Sequence, residues 1–268
     1  MSKFKDLGLS IAALLVSYGV YKLSASIFSS LNNDFLADFL AQLIFAVMAF
    51  LSVLVLKKTW IFHSDLRKLR VGWTAALVML IPILGSALQA SPMMSAISVT
   101  GFEFILFTAQ MLQTGFCEEV LLRGLVQNAF HNIFGEDNTL HVFLGVICGA
   151  FCFGIMHLGN ALKPEVSLRE ALVQVMFTFC FGILFATVYF RTGKNLWVVI
   201  LCHAIDDLFA FIAAGRLSGL NAGQTLSSSS SSILSSKVPL QILGTFCFFS
   251  AMSLFLLRPK KLRQLQEL

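Results

Sequence analysis

The sequence predicts an all-α protein, a polytopic bundle of about eight transmembrane helices, and three observations carry that reading. The first is composition: of 268 residues 57% are hydrophobic and only 12% charged, about half the share (~25%) that a soluble domain uses to cover its surface. The second is length, because the apolar runs measure about 20 residues, which is what a helix needs to cross the hydrocarbon layer. The third is periodicity. No run shows the two-residue alternation of a barrel strand, and helices are the remaining way to satisfy a backbone in lipid. The chain is expected to be one membrane-embedded domain over residues 1–268, in a cell membrane as a multi-pass protein.

The spans follow in order. The first, 8–28, comes after Lys3 and Lys5 and contains the small-residue run Ser24-Ala25-Ser26. That pattern fits a signal peptide, but seven further spans behind it favour a retained helix. The second is 36–56. The third, 73–90, contains Pro82, which removes a backbone donor and is expected to kink it. The fourth, 101–126, holds Glu118, Glu119 and Arg123 within one apolar stretch. The remaining spans are 140–158, 171–190, 196–214 and 239–257. Between the last two, residues 221–238 are rich in serine and are expected to form a flexible outer loop.

Charge orients the bundle. Of the 19 Lys and Arg residues, Lys3, Lys5, Lys57, Lys58, Arg67, Lys68, Arg70, Arg191, Lys194, Arg258, Lys260, Lys261 and Arg263 fall on one side of an eight-span path. Lys22, Lys163, Arg169, Arg216 and Lys237 fall on the other, and Arg123 lies inside a span. The positive-inside rule then puts both termini in the cytoplasm, with Trp60, Trp73 and Trp197 at the inner boundary as an aromatic belt. The net charge of +5 is thus explained by topology, and no nucleic-acid partner is implied. All six cysteines lie in apolar spans and read as small core residues, with Cys117 and Cys202 directly preceding polar motifs.

Ionisable groups inside a span are costly unless they pair or face a cavity, so each marks a functional site by default. Glu119 and Arg123 are four residues apart and share a helix face, where they can pair. Glu118 lies ~100° round the helix and is left for chemistry. In Leu201-Cys202-His203-Ala204-Ile205-Asp206-Asp207, His203 and Asp207 share a face, so the aspartate can orient the imidazole or join it in holding an ion or an oxyanion. Phe153 and His157 repeat the spacing two spans earlier. One reading is that these groups only tie spans together. The other is a hydrolase: a carboxylate and an imidazole deprotonate water while a second imidazole stabilises the oxyanion. Glu118, His157 and His203 can instead hold Zn²⁺, with Glu119 as the base. Helical rise puts Glu118 and His203 at similar depth but His157 nearer the outer surface. Span five is therefore expected to start below the membrane surface, or one helix to be tilted or broken.

Glu118-Glu119-x-x-x-Arg123, Phe153-x-x-x-His157 and His203-x-x-x-Asp207 resemble, in order and spacing, the three motifs of the CPBP family. These are the CAAX prenyl proteases and their bacterial relatives linked to bacteriocin processing and self-immunity. The resemblance covers roughly 100–215, which would be the catalytic core. It implies an eight-helix intramembrane endopeptidase, described in the family as a metalloprotease and also as a metal-free, glutamate-activated enzyme. Glu118, His157, His203 and Asp207 would be catalytic, and Glu119, Arg123 and Phe153 supporting. The family's last motif often ends in asparagine; Asp207 suits orienting His203 or binding a metal better than donating to an oxyanion. The expected partners are a peptide or membrane-protein substrate and the bilayer. The same fold acting as a non-catalytic immunity or scaffold protein is the alternative. A proton-coupled transporter is disfavoured because the chain shows no repeated halves.

Overall fold

The computed structural model describes residues 2–162, 166–218 and 238–267. The helices are α1 (Lys3–Phe28), α2 (Asp34–Val55), α3 (Leu66–Val78), α4 (Leu80–Ala90), α5 (Gly101–Glu119), α6 (Asn128–Phe134), α7 (Thr139–Met156), α8 (Leu168–Arg191), α9 (Leu196–Ala213) and α10 (Val238–Leu256), followed by a short tail helix, Pro259–Gln266. No strand occurs among the described residues. Among the described residues, seven helical stretches are long and apolar enough to cross a membrane, α3–α4 counting as one. The eighth expected span is the run from α5 through α6. It carries the motif charges, and every residue from Val120 to Gln127 is buried, so it threads the centre of the bundle. The serine-rich segment 221–237 lies outside the described residues.

Local chemistry sets the helix limits. Thr100 and Ser167 open α5 and α8 with capping boxes completed by Glu103 and Glu170, each satisfying two otherwise orphaned backbone donors. Asn33, Asn138 and Asn195 cap α2, α7 and α9 through their side-chain oxygens. The expected break in the third span falls between Val78 and Leu80. Proline at 82 has no N–H for the Val78 carbonyl, so the α-helical ladder stops there. A second irregularity follows α5, where Val120–Gln127 is π-helical; such wider turns are rare and often lie at functional sites.

Interhelical contacts sort the elements into two ends. At one end, Lys58 at the close of α2 pairs with Asp6 of α1 at 2.6 Å, and Asn132 of α6 reaches the same carboxylate. There too, Thr139 of α7 bonds the Leu257 carbonyl and Arg191 of α8 the Lys261 carbonyl. Trp197 of α9 donates to the Phe62 carbonyl. At the opposite end Arg216 pairs with Asp38 at the start of α2, Ser98 N–H bonds the Leu217 carbonyl, and Asn160 donates to Gln174. The chain therefore crosses back and forth, with both termini at the first end. Between the ends the helices close on small residues, as membrane bundles do: a Cβ on Gly115 of α5 would stand 2.7 Å from the Ile200 carbonyl oxygen of α9, and one on Gly154 of α7 would stand 2.8 Å from that of Val175 in α8.

Candidate active site

α5 and α9 carry the densest group of ionisable side chains, and the close approach at Gly115 brings them together. Glu119 is fully buried. One of its oxygens lies 3.2 Å from Arg123 Nε, and the other accepts from His203 Nδ1 at 2.9 Å. Arg123, also fully buried, is capped on its other side by Phe153, its guanidinium carbon 4.8 Å from the ring centroid. The expected i,i+4 pair is present. Glu119 does more than neutralise the arginine, however, because it also fixes the His203 ring.

His203 consequently turns Nε2 toward the other carboxylates. Glu118 Oε2 lies 3.8 Å from it and Asp207 Oδ2 3.6 Å from it, both beyond direct hydrogen bonding. The sequence suggested that Asp207 orients this imidazole; Glu119 orients it instead, since only the Nδ1 contact is short enough to bond. Phe185 at 5.2 Å and Phe153 at 5.8 Å between ring centroids hold the imidazole from two sides.

His157 sits across Phe153, at 5.1 Å and edge-on. The ring of Phe153 thus stands between the two histidines. α7 ends at Met156 and His157 opens a 3₁₀ turn, its Nδ1–H donating to the Phe153 carbonyl at 3.0 Å. A Cβ on Gly159 in that turn would collide with the Tyr18 hydroxyl, so α1 presses directly on it. His157 therefore belongs to the same wall but lies nearer the end opposite the termini than His203, as helical rise indicated.

These groups open onto one cavity of about 370 Å³. Glu118, His157, His203 and Asp207 line it; Glu119 and Arg123 do not and sit behind its wall. The lining also includes residues the motifs did not reveal, among them Tyr18, Lys22, Gln42, Asn160, Gln174 and Asp206. Asp206, which precedes the motif aspartate, accepts from Ser86 of α4 at 2.8 Å. The α1 and α2 contributors read only as hydrophobic flanks in sequence, and no spacing rule connects them to the motifs.

Behind the wall a second polar group continues from Arg123. Gln127 bonds His131 at 3.1 Å and the Ala186 carbonyl at 2.9 Å, and Asn128 donates to Tyr189 at 2.8 Å. The spacing Glu119, Arg123, Gln127, His131 is four residues at each step, a signal present in the sequence. All are at most 1% exposed. Among the described residues, no group of three or more His, Cys, Asp or Glu side chains is arranged to hold a metal ion.

Residues 100–209 match the family model described as "Type II CAAX prenyl endopeptidase Rce1-like". A stretch of 73 residues is 33% identical to the CAAX prenyl protease 2 of Saccharomyces cerevisiae, covering 24% of this chain and 23% of the yeast protein. The chain therefore matches about a quarter of that relative's length. Residues 100–209 contain all three motifs, so over that region the chain is similar to type II CAAX prenyl endopeptidases, and its long apolar helices support a multi-pass membrane protein.

Proposed function

We propose that the chain is an intramembrane endopeptidase that hydrolyses peptide bonds of peptide or membrane-protein substrates with a water activated by Glu118 and His203. The observation that carries the reading is the unequal treatment of two adjacent glutamates: Glu119 is sealed in and shared by Arg123 and His203, while Glu118 opens onto a cavity. A carboxylate whose neighbour already balances the local cation is available to take a proton. In this scheme Glu118 removes a proton from water as the hydroxide adds to the scissile carbonyl. His203 Nε2, facing both Glu118 and Asp207, holds the water and steadies the charge that moves between them. His157 Nε2, its Nδ1–H committed to a helix carbonyl, faces the oxyanion when protonated. Glu118 then delivers its proton to the departing amine nitrogen, which balances the reaction. No step is routed through a metal. The yeast relative's name points to prenylated C-termini as one substrate class, and the family's bacterial members point to bacteriocin processing or self-immunity.

The test is a survey of new protein N-termini in membranes that contain the wild-type chain or its Glu118→Gln variant at equal abundance. Cleavages should appear with the wild type and be absent with the variant. The same set in both, or none in either, would favour the non-catalytic binding protein. A chelator arm separates the chemistries. Activity that survives chelation fits the glutamate–histidine scheme; activity that is lost and restored by Zn²⁺ assigns a metal to the site.

A further inference from the structure

The tail helix, Pro259–Gln266, is folded back onto the end of α8. Its Leu262 and Leu265 pack in one apolar cluster with Phe190 and Leu257, and Gln266 donates to the Glu136 carbonyl at 2.9 Å. Arg191, the last residue of α8, lies in this junction with 1% of its surface exposed. Its Nη1 donates to the Lys261 carbonyl at 2.6 Å. The first turns of α3 press on the same place, because a Cβ on Gly72 would collide with the Arg191 carbonyl.

The bond to Lys261 accounts for a donor at this position but not for a charge. A glutamine could make the same bond, whereas a guanidinium taken out of water needs a counterion. Among the described residues no carboxylate pairs with Arg191. The acids at this end are engaged elsewhere: Asp6 with Lys58, Glu136 with Lys194, Asp137 with His141 and Asp65 with Arg67. Arg191 Nε is buried and has no hydrogen-bond partner. What stands beside Arg191 is a second cation, Arg258, close enough for its charge to act on it. The Arg258 guanidinium lies over the Phe255 ring, 4.0 Å from the centroid, and it too has no carboxylate partner among the described residues. Two neighbouring guanidinium groups with no acid between them suit an anion, and their planar forks match the oxygens of a phosphate.

Position says which phosphate. α8 has 24 residues, a length of ~36 Å, so in a hydrocarbon layer of ~30 Å its last residue reaches the level of the lipid headgroups. Arg258 follows α10 by two residues and stands at the same boundary. Lys260, Lys261 and Arg263 on the tail helix add positive charge, which attracts a headgroup of net negative charge and repels the ammonium of a zwitterionic one. We propose that Arg191 and Arg258 form a binding site for the phosphate of an acidic glycerophospholipid, which fastens the tail helix to the end of α8. The site shares no residue with the cavity and does not depend on the peptidase reading.

The test uses the full-length protein in a neutral detergent, with phosphatidylglycerol or phosphatidylcholine of matched acyl chains added at equal concentration. Native mass spectrometry counts the lipid retained, and a melting curve reads its effect on the fold. The wild type should retain phosphatidylglycerol about tenfold better than phosphatidylcholine, the difference that one charge-assisted hydrogen bond makes, and should melt higher with it. Arg191→Gln, which keeps a donor for the Lys261 carbonyl, and Arg258→Gln should each lose that preference and the rise in melting temperature. Lys3→Gln with Lys5→Gln removes two charges from α1 at the same end and should keep both. Equal retention of the two lipids by the wild type overturns the proposal. So does a loss in the α1 variant as large as that in Arg258→Gln, which would mean diffuse attraction by net charge. If Arg191→Gln does not fold, Arg258→Gln decides, and wild-type retention in that variant refutes the site. Inorganic phosphate is the last arm: stabilisation by it equal to that by phosphatidylglycerol would assign the site to a free phosphate and overturn the lipid as its occupant.

Discussion

Glu118 and Glu119 are adjacent in the chain, yet they inhabit different regions of the molecule. One faces a polar, open cavity; the other lies in a closed layer of fully buried side chains with Arg123, Gln127 and His131. The comparison teaches that a charge within a membrane span can be there for two unrelated reasons. On the cavity side it is available to a substrate. Behind the wall its value is positional: removing one member leaves another charge buried without its partner.

The sharpest way to break this comparison is to change the two carboxylates separately. Glu118→Gln is expected to lower cleavage by about 10²–10⁴-fold while the protein inserts and melts as the wild type does. Glu119→Gln should lower activity too, because it releases His203, but its melting temperature should drop with it. Equal melting curves for the two variants would show that the wall is not structural. His157→Ala belongs with the cavity side. Its ring bonds a carbonyl of its own helix, so activity should fall by about 10²–10³-fold with melting unchanged. A matching loss of stability would move it behind the wall.

Arg123→Met tests the sealed layer. Deleting the cation strands Glu119 and should cost about 3–5 kcal/mol, read as a large fall in detergent melting temperature. The double variant Arg123→Met with Glu119→Leu should recover part of it, since a well-packed apolar pair replaces the ions. Gly115→Ala sharpens the link between the two regions. Its methyl group would meet the Ile200 carbonyl at 2.7 Å and push α5 from α9, costing about 1–3 kcal/mol and disturbing Glu118 and His203 together. The smallest effect is expected at Asp137, on the surface beyond α6. A hydrogen bond from His141 holds its carboxyl below the usual range. Its contribution is thus present at neutral pH and lost as pH falls through that lowered value. Being exposed, the pair is largely screened, and Asp137→Asn should leave the melting temperature at pH 7 within experimental error.

Much of this was legible in the residues. The spans follow from apolar length, the α3–α4 break follows from Pro82, and the Glu119–Arg123 pair follows from four-residue spacing, because each is a local consequence of helical geometry. The parts that were not legible involve partners distant in sequence. Asp207 is four residues from His203, yet Glu119, 84 residues away, makes the short bond to the imidazole. Spacing reveals who shares a face but not which of two carboxylates comes closer. Gln127 and His131 continue the Glu119–Arg123 spacing, but a glutamine and a histidine in an apolar run give no sign in sequence of whether they meet lipid or each other.

The sequence by itself determined the class of fold, the path across the membrane and the chemical types available to the site, because hydrophobic length, charge bias and helical period act within one segment at a time. Only the tertiary structure decided what orients His203, and that α1 and α2 help enclose the cavity. Those outcomes depend on how closely separate helices approach, and on glycines such as Gly115 and Gly154 that let backbones meet. Such approaches are a property of pairs of surfaces, and no single helix encodes them.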